Sequence, residues 1–250
     1  MGNLGRGPSE VHREAGDQVN IVIGSAFRNC ARNAPAYFER VRAFADLVPQ
    51  HRVSVNAVEG DSIDNTRQAL CIAAEMNHIH LNLVTCNHGG PEFGSTEQPE
   101  RMVALSKVGN AIFESVKESD DALFYVESDL MWSPETARRL VNIATNMTGF
   151  DVISPLVLCG HTAPTFYDIW GFRGLDERRF SPFNPFYPGL EPGSETIFEV
   201  GSVGSCLAMR AHVARACRIR NDYCLVGWCE DARSQGYRIG VQPNLLVRQI

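Results

Sequence analysis

From Val19 to Leu158 the chain alternates short apolar runs with amphipathic stretches, and no other feature limits its fold so strongly. The runs VNIVIG (19–24), VSVNAV (53–58), IHLNLV (79–84), ALFYVE (122–127) and DVISPLVL (151–158) have the length and β-branched content of buried strands. Between them lie Ala34–Leu47, Asp64–Met76, Arg101–Lys117 and Pro134–Asn146, where apolar residues recur at helical steps. Tyr37, Val41, Phe44 and Val48 mark one such face, and Leu105, Val108, Ile112 and Val116 another. Ser133, Pro134 and Glu135 begin the fourth helix with a cap oxygen, a ring that needs no N–H and a carboxylate near the positive end of the dipole. Strands joined through helices need crossovers, so the spacing predicts an α/β fold: a mostly parallel central sheet with helices on both faces. Sheets of that kind take ligands beyond the carboxyl ends of their strands.

After Leu158 the pattern changes. Arg173–Ser194 carries Pro182, Pro185, Pro188 and Pro192 among glycines and aromatics, which excludes regular structure and predicts a long functional loop on the acceptor side. Short strands around FEVGS and CLAMR, a helical stretch from Ala211 and a final segment from Trp228 to Ile250 follow. Residues 1–18 read as a flexible N-terminal tail and residues 19–250 as a single domain.

Composition narrows the function. The 250 residues are 44% apolar, enough for a sizeable core, and the net charge of −6 argues against nonspecific nucleic-acid binding. No run of 18 apolar residues spans a membrane, and the first residues lack an apolar secretory core, so a cytoplasmic protein is expected. The eight cysteines form no Cys-x-x-Cys pair and read as reduced thiols, with Cys224 and Cys229 the one pair near in sequence.

Three acidic segments fall where a parallel sheet takes its ligand. VEGDSIDNT (58–66) follows the second strand; Asp64 reads as a helix cap, whereas Glu59 and Ser62 are less easily explained that way. In YVESDLMWSP (125–134) a strand ends in Glu127 and Asp129, two carboxylates on one face by period-two alternation, hard oxygen donors suited to Mg²⁺ or Mn²⁺. In VGWCEDARSQGYRIGVQP (226–243), Glu230 and Asp231 precede a short helical turn, where a carboxylate at a helix amino end can act as general base.

Read in order, these segments resemble the GT-A nucleotide-sugar glycosyltransferases. VEGDSIDNT is similar to their acidic turn after the second strand, and Glu127-Ser128-Asp129 to their Asp-x-Asp metal motif. FYDIWGFRG (166–174), with Asp231, Gly236, Tyr237, Arg238 and Pro243, most resembles the mannosyltransferases of fungal cell wall and capsule. The resemblance implies a Rossmann-like GT-A domain in which Ser25, Phe27, Arg28, Glu59 and Ser62 line the nucleotide pocket. Asp129 and Glu127 would hold Mn²⁺ or Mg²⁺, Tyr167, Asp168, Trp170, Arg173 and Trp228 would face sugar or acceptor, and Asp231 or Glu230 would serve catalysis.

The chain departs from that pattern in places. Gly109 and Asn110 stand where an Arg-Asn pair is expected, so a diphosphate contact is either missing or moved to Lys107 or Arg101. Arg248 and Gln249 replace a metal-binding His, and Glu-Gly-Asp-Ser replaces Asp-Asp-Gly-Ser, leaving the role open between Glu59 and Asp61. The partner implied is a GDP- or UDP-linked sugar donor, with the acceptor open among glycan, protein, lipid, small molecule and modified nucleic acid. Inverting attack would use Asp231 or Glu230 as base; retaining attack, which the mannosyltransferase likeness favours, would take its proton acceptor from the leaving phosphate. A sugar-phosphate nucleotidyltransferase and a noncatalytic nucleotide-sugar-binding relative are the alternative readings.

Overall fold

The computed structural model describes residues 18–94, 97–146, 149–160 and 164–249, so all but Gln18 of the tail expected over 1–18 lies outside the described residues. One sheet organises the chain. Its strands are β1 (Asn20–Phe27), β2 (Arg52–Glu59), β3 (His80–Thr85), β4 (Ala122–Val126), β5 (Leu130–Met131), β6 (Val152–Cys159), β7 (Thr165–Phe166), β8 (Phe198–Glu199), β9 (Cys206–Arg210) and β10 (Ile239–Gln249). They lie in the order β3-β2-β1-β4-β9-β6-β10-β5, with β7 beside β6 and β8 beside β10.

β1, β2, β3 and β4 run parallel, β9 runs against both β4 and β6, and β10 runs parallel to β6. Six strands therefore point one way, and their carboxyl ends share an edge. The register makes that edge flush: Phe27 pairs with Glu59, and Glu59 with Thr85.

Each strand alternates its side chains between two cores, as period two requires. Ile21, Ile23, Phe124 and Val126 face one core beneath α1 (Ala34–Leu47), α2 (Thr66–Met76) and α4 (Pro134–Asn146). Val22, Leu123 and Tyr125 face the other, beneath α3 (Pro99–Glu114), α5 (Ala211–Ala216) and α6 (Cys224–Ser234). The first and fourth helices fall where periodicity puts them, and the Ser133 hydroxyl accepts the Thr136 N–H at 3.0 Å as a cap should. No helix among the described residues is long and apolar enough to cross a membrane.

The final segment holds more than the sequence disclosed. α6 begins at Cys224, ahead of the Trp228 start of the segment read from sequence, and an eleven-residue strand, β10, follows it. The Pro-rich loop after β7 is irregular as expected, and its aromatics join the core beneath α3, α5 and α6. Phe166 meets Phe172 at 4.9 Å between centroids, and Phe180 stacks on Tyr187 at 4.9 Å. Each ring so buried contributes about 2 to 3 kcal/mol, enough to make this segment a fixed wall.

Candidate functional site

Three loops leave the carboxyl ends of β1, β2 and β3, and short polar bonds tie them into one surface. Arg28 donates to the carbonyls of Pro91 (3.0 Å) and Gly90 (3.1 Å). The Asn29 N–H donates to the Ser62 hydroxyl (3.1 Å), and the Asn29 side-chain oxygen accepts the Ile63 N–H (2.9 Å). Asp64 accepts N–H bonds from Ala31 (3.1 Å) and Thr66 (3.0 Å), so it closes the start of α2 and also holds the β1 loop.

Asp61, at a left-handed φ of 55°, accepts N–H bonds from His88 (2.9 Å) and Gly89 (3.2 Å). The His88 N–H is the main cause holding its carboxyl below the usual range. His88 Nδ1 accepts the Gly90 N–H (3.0 Å), so its Nε2 carries the proton facing Asp61 at 3.3 Å. Gly60 makes this closure possible, because a Cβ there would sit 2.1 Å from the Cys86 carbonyl oxygen.

The tied loops leave a cleft of about 600 Å³ whose lining includes Glu59, Ser62, Arg67 and Asn87. Glu59 closes its floor from the last position of β2 and is only 6% exposed. Among the described residues its carboxylate has no hydrogen-bond or ion-pair partner, whereas that of Asp61 is taken up by backbone. The structure thus separates two acids that the sequence left interchangeable.

The second centre lies where β4 ends beside β9. The Glu127 N–H donates to the Ser205 carbonyl (3.0 Å). Burial above all, then the carboxylates of Asp129 and Asp168, pushes Glu127 up to about 8 against the pull of Arg101. Asp168 accepts N–H bonds from Ser205 (2.7 Å) and Gly171 (3.1 Å), yet burial keeps its carboxyl above the usual range. A Cβ on Gly204 would lie 2.1 Å from one Asp168 oxygen, and a Cβ on Gly171 would lie 2.7 Å from the other. Asp168 is therefore clasped by backbone, which pins the 168–171 turn to the entry of β9. The Arg101 guanidinium lies 5.8 Å over the Trp170 ring, and the Arg173 guanidinium 5.0 Å over Tyr223. Tyr167 stands among the same acids, its hydroxyl pushed up by burial first and then by Glu127.

Several expected site residues are not brought to this surface. Ser25 has no exposed area; its hydroxyl shares a 2.6 Å bond with the Tyr37 hydroxyl and donates to the Val126 carbonyl at 2.6 Å. Phe27 is 4% exposed and packs edge-on to Tyr37. Trp228 is fully buried, edge-on to Phe113 at 5.4 Å, so it has no face to offer a sugar ring. Glu230 and Asp231 lie past the middle of α6 and not at a helix amino end, because the helix starts earlier than the sequence suggested. Both accept from Arg220, at 3.0 and 3.4 Å, and the same guanidinium grips Asp222 at 2.7 Å.

The departures noted in the sequence acquire physical reasons. Without a Cβ, Gly109 admits Ile219 Cδ1, which would otherwise stand 2.5 Å away, and Asn110 bonds the Ile219 backbone in both directions at 2.9 and 2.8 Å. This pair docks the 218–221 segment onto α3. Lys107 lines a separate cleft of about 480 Å³ with Arg218 and Ile219, whereas Arg101 stands among the acids. Gln249 pairs with Leu130, the neighbour of Asp129, so the last strand does reach the acidic turn, carrying Gln249 and Arg248 there.

The sequence reading missed Arg67 and Asn87 in the cleft, the Gly204–Ser205 clasp and the Arg220 ion pairs. Only the glycine-serine repeat in GSVGS offered a local signal, since the others depend on contacts between distant segments. Glu127 and Asp129 supply the hard oxygens that a divalent cation takes. Among the described residues, however, no group of three or more His, Cys, Asp or Glu side chains is arranged to hold a metal.

No family model matches the chain, and no curated protein matches it significantly. Solved structures do. A mannosyltransferase, PcManGT from Pyrobaculum calidifontis in complex with GDP-Man and Mn²⁺, superposes with TM-score 0.59 at 13% identity, over 98% of this chain and 60% of that one. S. aureus TarS 1–349 in complex with UDP-GlcNAc gives TM-score 0.54 at 14% identity, over 92% and 58%. A mycobacterial protein gives 0.51 at 11% identity, over 92% and 65%. The chain thus spans less than two thirds of the length of each structure. What it shares with them is the fold, the Rossmann-like GT-A arrangement.

Proposed function

We propose that this chain is a glycosyltransferase that moves a sugar, with mannose the first candidate, from a GDP- or UDP-linked donor to an acceptor hydroxyl. The observation that carries the reading is the pair of centres on one sheet edge: a polar cleft floored by the Glu59 carboxylate at the end of β2, and a carboxylate cluster at the end of β4. The base and ribose would occupy the Glu59–Ser62 cleft, with Arg28 fixing its wall. The diphosphate would lie toward Arg101, the cation nearest the acids, and Tyr167, Trp170 and Arg173 would form the sugar and acceptor wall.

Glu127 and Asp129 would hold Mn²⁺ or Mg²⁺, with donor phosphate oxygens completing the coordination. Their chemistry fits: burial first, and then the neighbouring carboxylates of Asp129 and Asp168, push Glu127 up to about 8, and a divalent cation would relieve the share that comes from those charges. Such an ion stabilises charge developing on a departing diphosphate. Asp231 and Glu230 would reach an acceptor hydroxyl only after parting from Arg220. Retention, with the leaving phosphate as proton acceptor, needs no such parting, and we place the mechanism there.

The test is a panel of nucleotide diphospho-sugars with and without Mn²⁺, read by thermal shift and by release of nucleoside diphosphate. A donor that stabilises the protein and is slowly hydrolysed or transferred, with loss of that activity and an intact fold in Asp129→Ala, is the expected result. If no donor binds, the reading fails; if nucleoside triphosphate plus sugar phosphate reacts instead, the chain is a nucleotidyltransferase.

A further inference from the structure

From an arginine that no acid of the chain answers, we infer that the acceptor is a sugar bearing an anionic group, carboxylate or phosphate, held by Arg173 beside Tyr223. The inference rests on the proposed acceptor wall and adds the charge of its ligand. Arg173 is half-buried, its Nε is sealed from solvent without a hydrogen-bond partner, and its guanidinium makes no ion pair among the described residues. Other arginines from the same loop and from α6 are answered: Arg178 by Asp176 (2.5 Å), Arg179 by Glu97 (2.6 Å) and Arg233 by Glu177 (3.5 Å). A charge withdrawn from water without a counter-charge is unfavourable, so the anion that suits Arg173 has to come from a ligand.

The backbone fixes where that charge stands. The Arg173 N–H donates to the Ser202 carbonyl at 3.2 Å, and the Arg173 carbonyl accepts the Gly201 N–H at 2.8 Å. From there the guanidinium lies 5.0 Å over the ring of Tyr223, a residue that stays 47% exposed just ahead of α6. The next residue ties the pair to the acidic centre: the Cys224 thiol donates to the Met102 carbonyl at 3.1 Å, and Met102 follows Arg101, whose guanidinium covers Trp170. Segments 101–102, 170–173 and 223–224 are thus linked in a closed circuit of contacts. Arg101 and Glu127 both act electrostatically on the Cys224 thiol, which places that circuit at the border of the carboxylates.

A guanidinium presents a planar fork of N–H donors that a carboxylate or a phosphate accepts in pairs, whereas a neutral hydroxyl supplies no counter-charge. The open part of the Tyr223 ring gives apolar surface beside that fork, suited to the C–H face of a sugar. Arg101 is the guanidinium that acts on Glu127 and is the one assigned to the donor diphosphate, which leaves Arg173 for the second substrate. Arg173 and Tyr223 are therefore specificity-determining residues for the acceptor.

The experiment titrates the intact protein with mannose 6-phosphate, mannuronate and methyl mannoside, without metal so that no bridging ion draws the phosphate to the acidic centre, and reads binding by ligand-observed NMR. One or both anionic sugars are expected to bind about tenfold or more tighter than methyl mannoside, as a charge-assisted pair requires, and the tighter of the two names the anion. Arg173→Gln, checked for an unchanged circular dichroism spectrum, should remove that preference, and Arg173→Lys, which keeps the charge and loses the fork, should retain part of it. Tyr223→Ala should weaken all three sugars alike, and Tyr223→Phe should bind them as the parent does. Equal binding of neutral and anionic sugars, binding of none, or a preference that survives Arg173→Gln overturns the proposal, while the donor panel still decides the glycosyltransferase reading. Unchanged binding in Tyr223→Ala overturns the part given to that ring. A loss of GDP and UDP affinity in Arg173→Gln as large as its loss of the anionic sugar assigns the guanidinium to the donor diphosphate and overturns the proposal as well.

Discussion

Replacing Gly204 with alanine tests the clasp around Asp168 directly. The new Cβ would stand 2.1 Å from Asp168 Oδ2, 2.8 Å from its Cγ and 3.0 Å from Oδ1, its three nearest neighbours. The carboxylate must withdraw by more than an ångström, and in doing so it loses the Ser205 N–H at 2.7 Å and the Gly171 N–H at 3.1 Å. Hydrogen bonds to a charged group are worth about 1.5 to 3 kcal/mol each, so Gly204→Ala should destabilise the protein by about 3 to 6 kcal/mol. For a chain of this size that lowers Tm by about 6 to 24 °C. Asp168→Ala removes the same bonds but also removes a buried charge, which places it near the lower end of that range. Because the closest clashes are all with the Asp168 side chain, adding Gly204→Ala to Asp168→Ala should cost less than about 1 kcal/mol. Urea unfolding of the four proteins in the cycle gives the coupling. Additive effects would show that Gly204 is constrained by something other than this carboxylate, and the pinned 168–171 turn would lose its explanation.

Other expectations follow from the same coordinates. Trp228→Phe should lower Tm modestly and leave nucleotide and sugar affinity unchanged, because the ring is sealed in the core and its indole N–H has no partner to lose; a selective loss of ligand binding, measured by calorimetry, contradicts this. Phe172→Ala should destabilise by about 3 to 5 kcal/mol, whereas Phe183→Ala, whose ring is 68% exposed, should change unfolding free energy by less than about 0.5 kcal/mol. In EDTA, Glu127 holds a proton in the folded chain up to about 8 against 4.5 when unfolded. Its stabilisation is therefore complete below pH 4.5 and is lost as pH rises toward 8, by at most about 1.4 kcal/mol per unit. Glu127 retains some exposed surface, which reduces that slope; Glu127→Gln should flatten it, and equal slopes for the two proteins in urea titrations at pH 5.5, 6.5 and 7.5 would refute the shift.

The sequence disclosed the elements whose signal is local. Tyr37, Val41 and Phe44 marked α1 because helical periodicity and burial coincide there, and Val22 against Ile21 and Ile23 marked β1 because neighbouring residues belong to opposite cores. Glu127 and Asp129 were legible as neighbouring acids at the end of an apolar run, but not by the strand alternation expected for them: β4 stops at Val126, and both stand in the turn that follows, where the Leu130 N–H donates to the Glu127 carbonyl. α6 was misjudged because its amino-terminal half, CLVGW, is apolar and contains a glycine; that glycine is there to let Arg220 lie across the helix, with Nε 3.0 Å from where a Cβ would be. Such a reason depends on residues from a different turn of chain and has no periodic trace. Ser25 and Trp228 fail as site residues for a related cause: residue type suggests a ligand, but only three-dimensional packing decides whether a hydroxyl or an indole faces the cleft or the core.

The two halves of the site are held by unlike means, and this bears on how they can work together. The cleft side is fixed by polar bonds among the β1, β2 and β3 loops, with Asp61, Asp64 and Arg28 each joining two of them. The opposite wall is fixed by aromatics that join the core beneath α3, α5 and α6, and by the Asp168 clasp. Arg101 stands between the two, on α3 yet over Trp170, within electrostatic reach of Glu127 and Asp168. An anion drawn to Arg101 would weaken the cation's hold on those carboxylates, while a cation at Glu127 and Asp129 would restore the balance. If the proposed anionic donor and divalent ion bind at these two centres, each should raise the affinity of the other, and calorimetric titration of the donor with and without Mn²⁺ checks it; equal affinities would refute it.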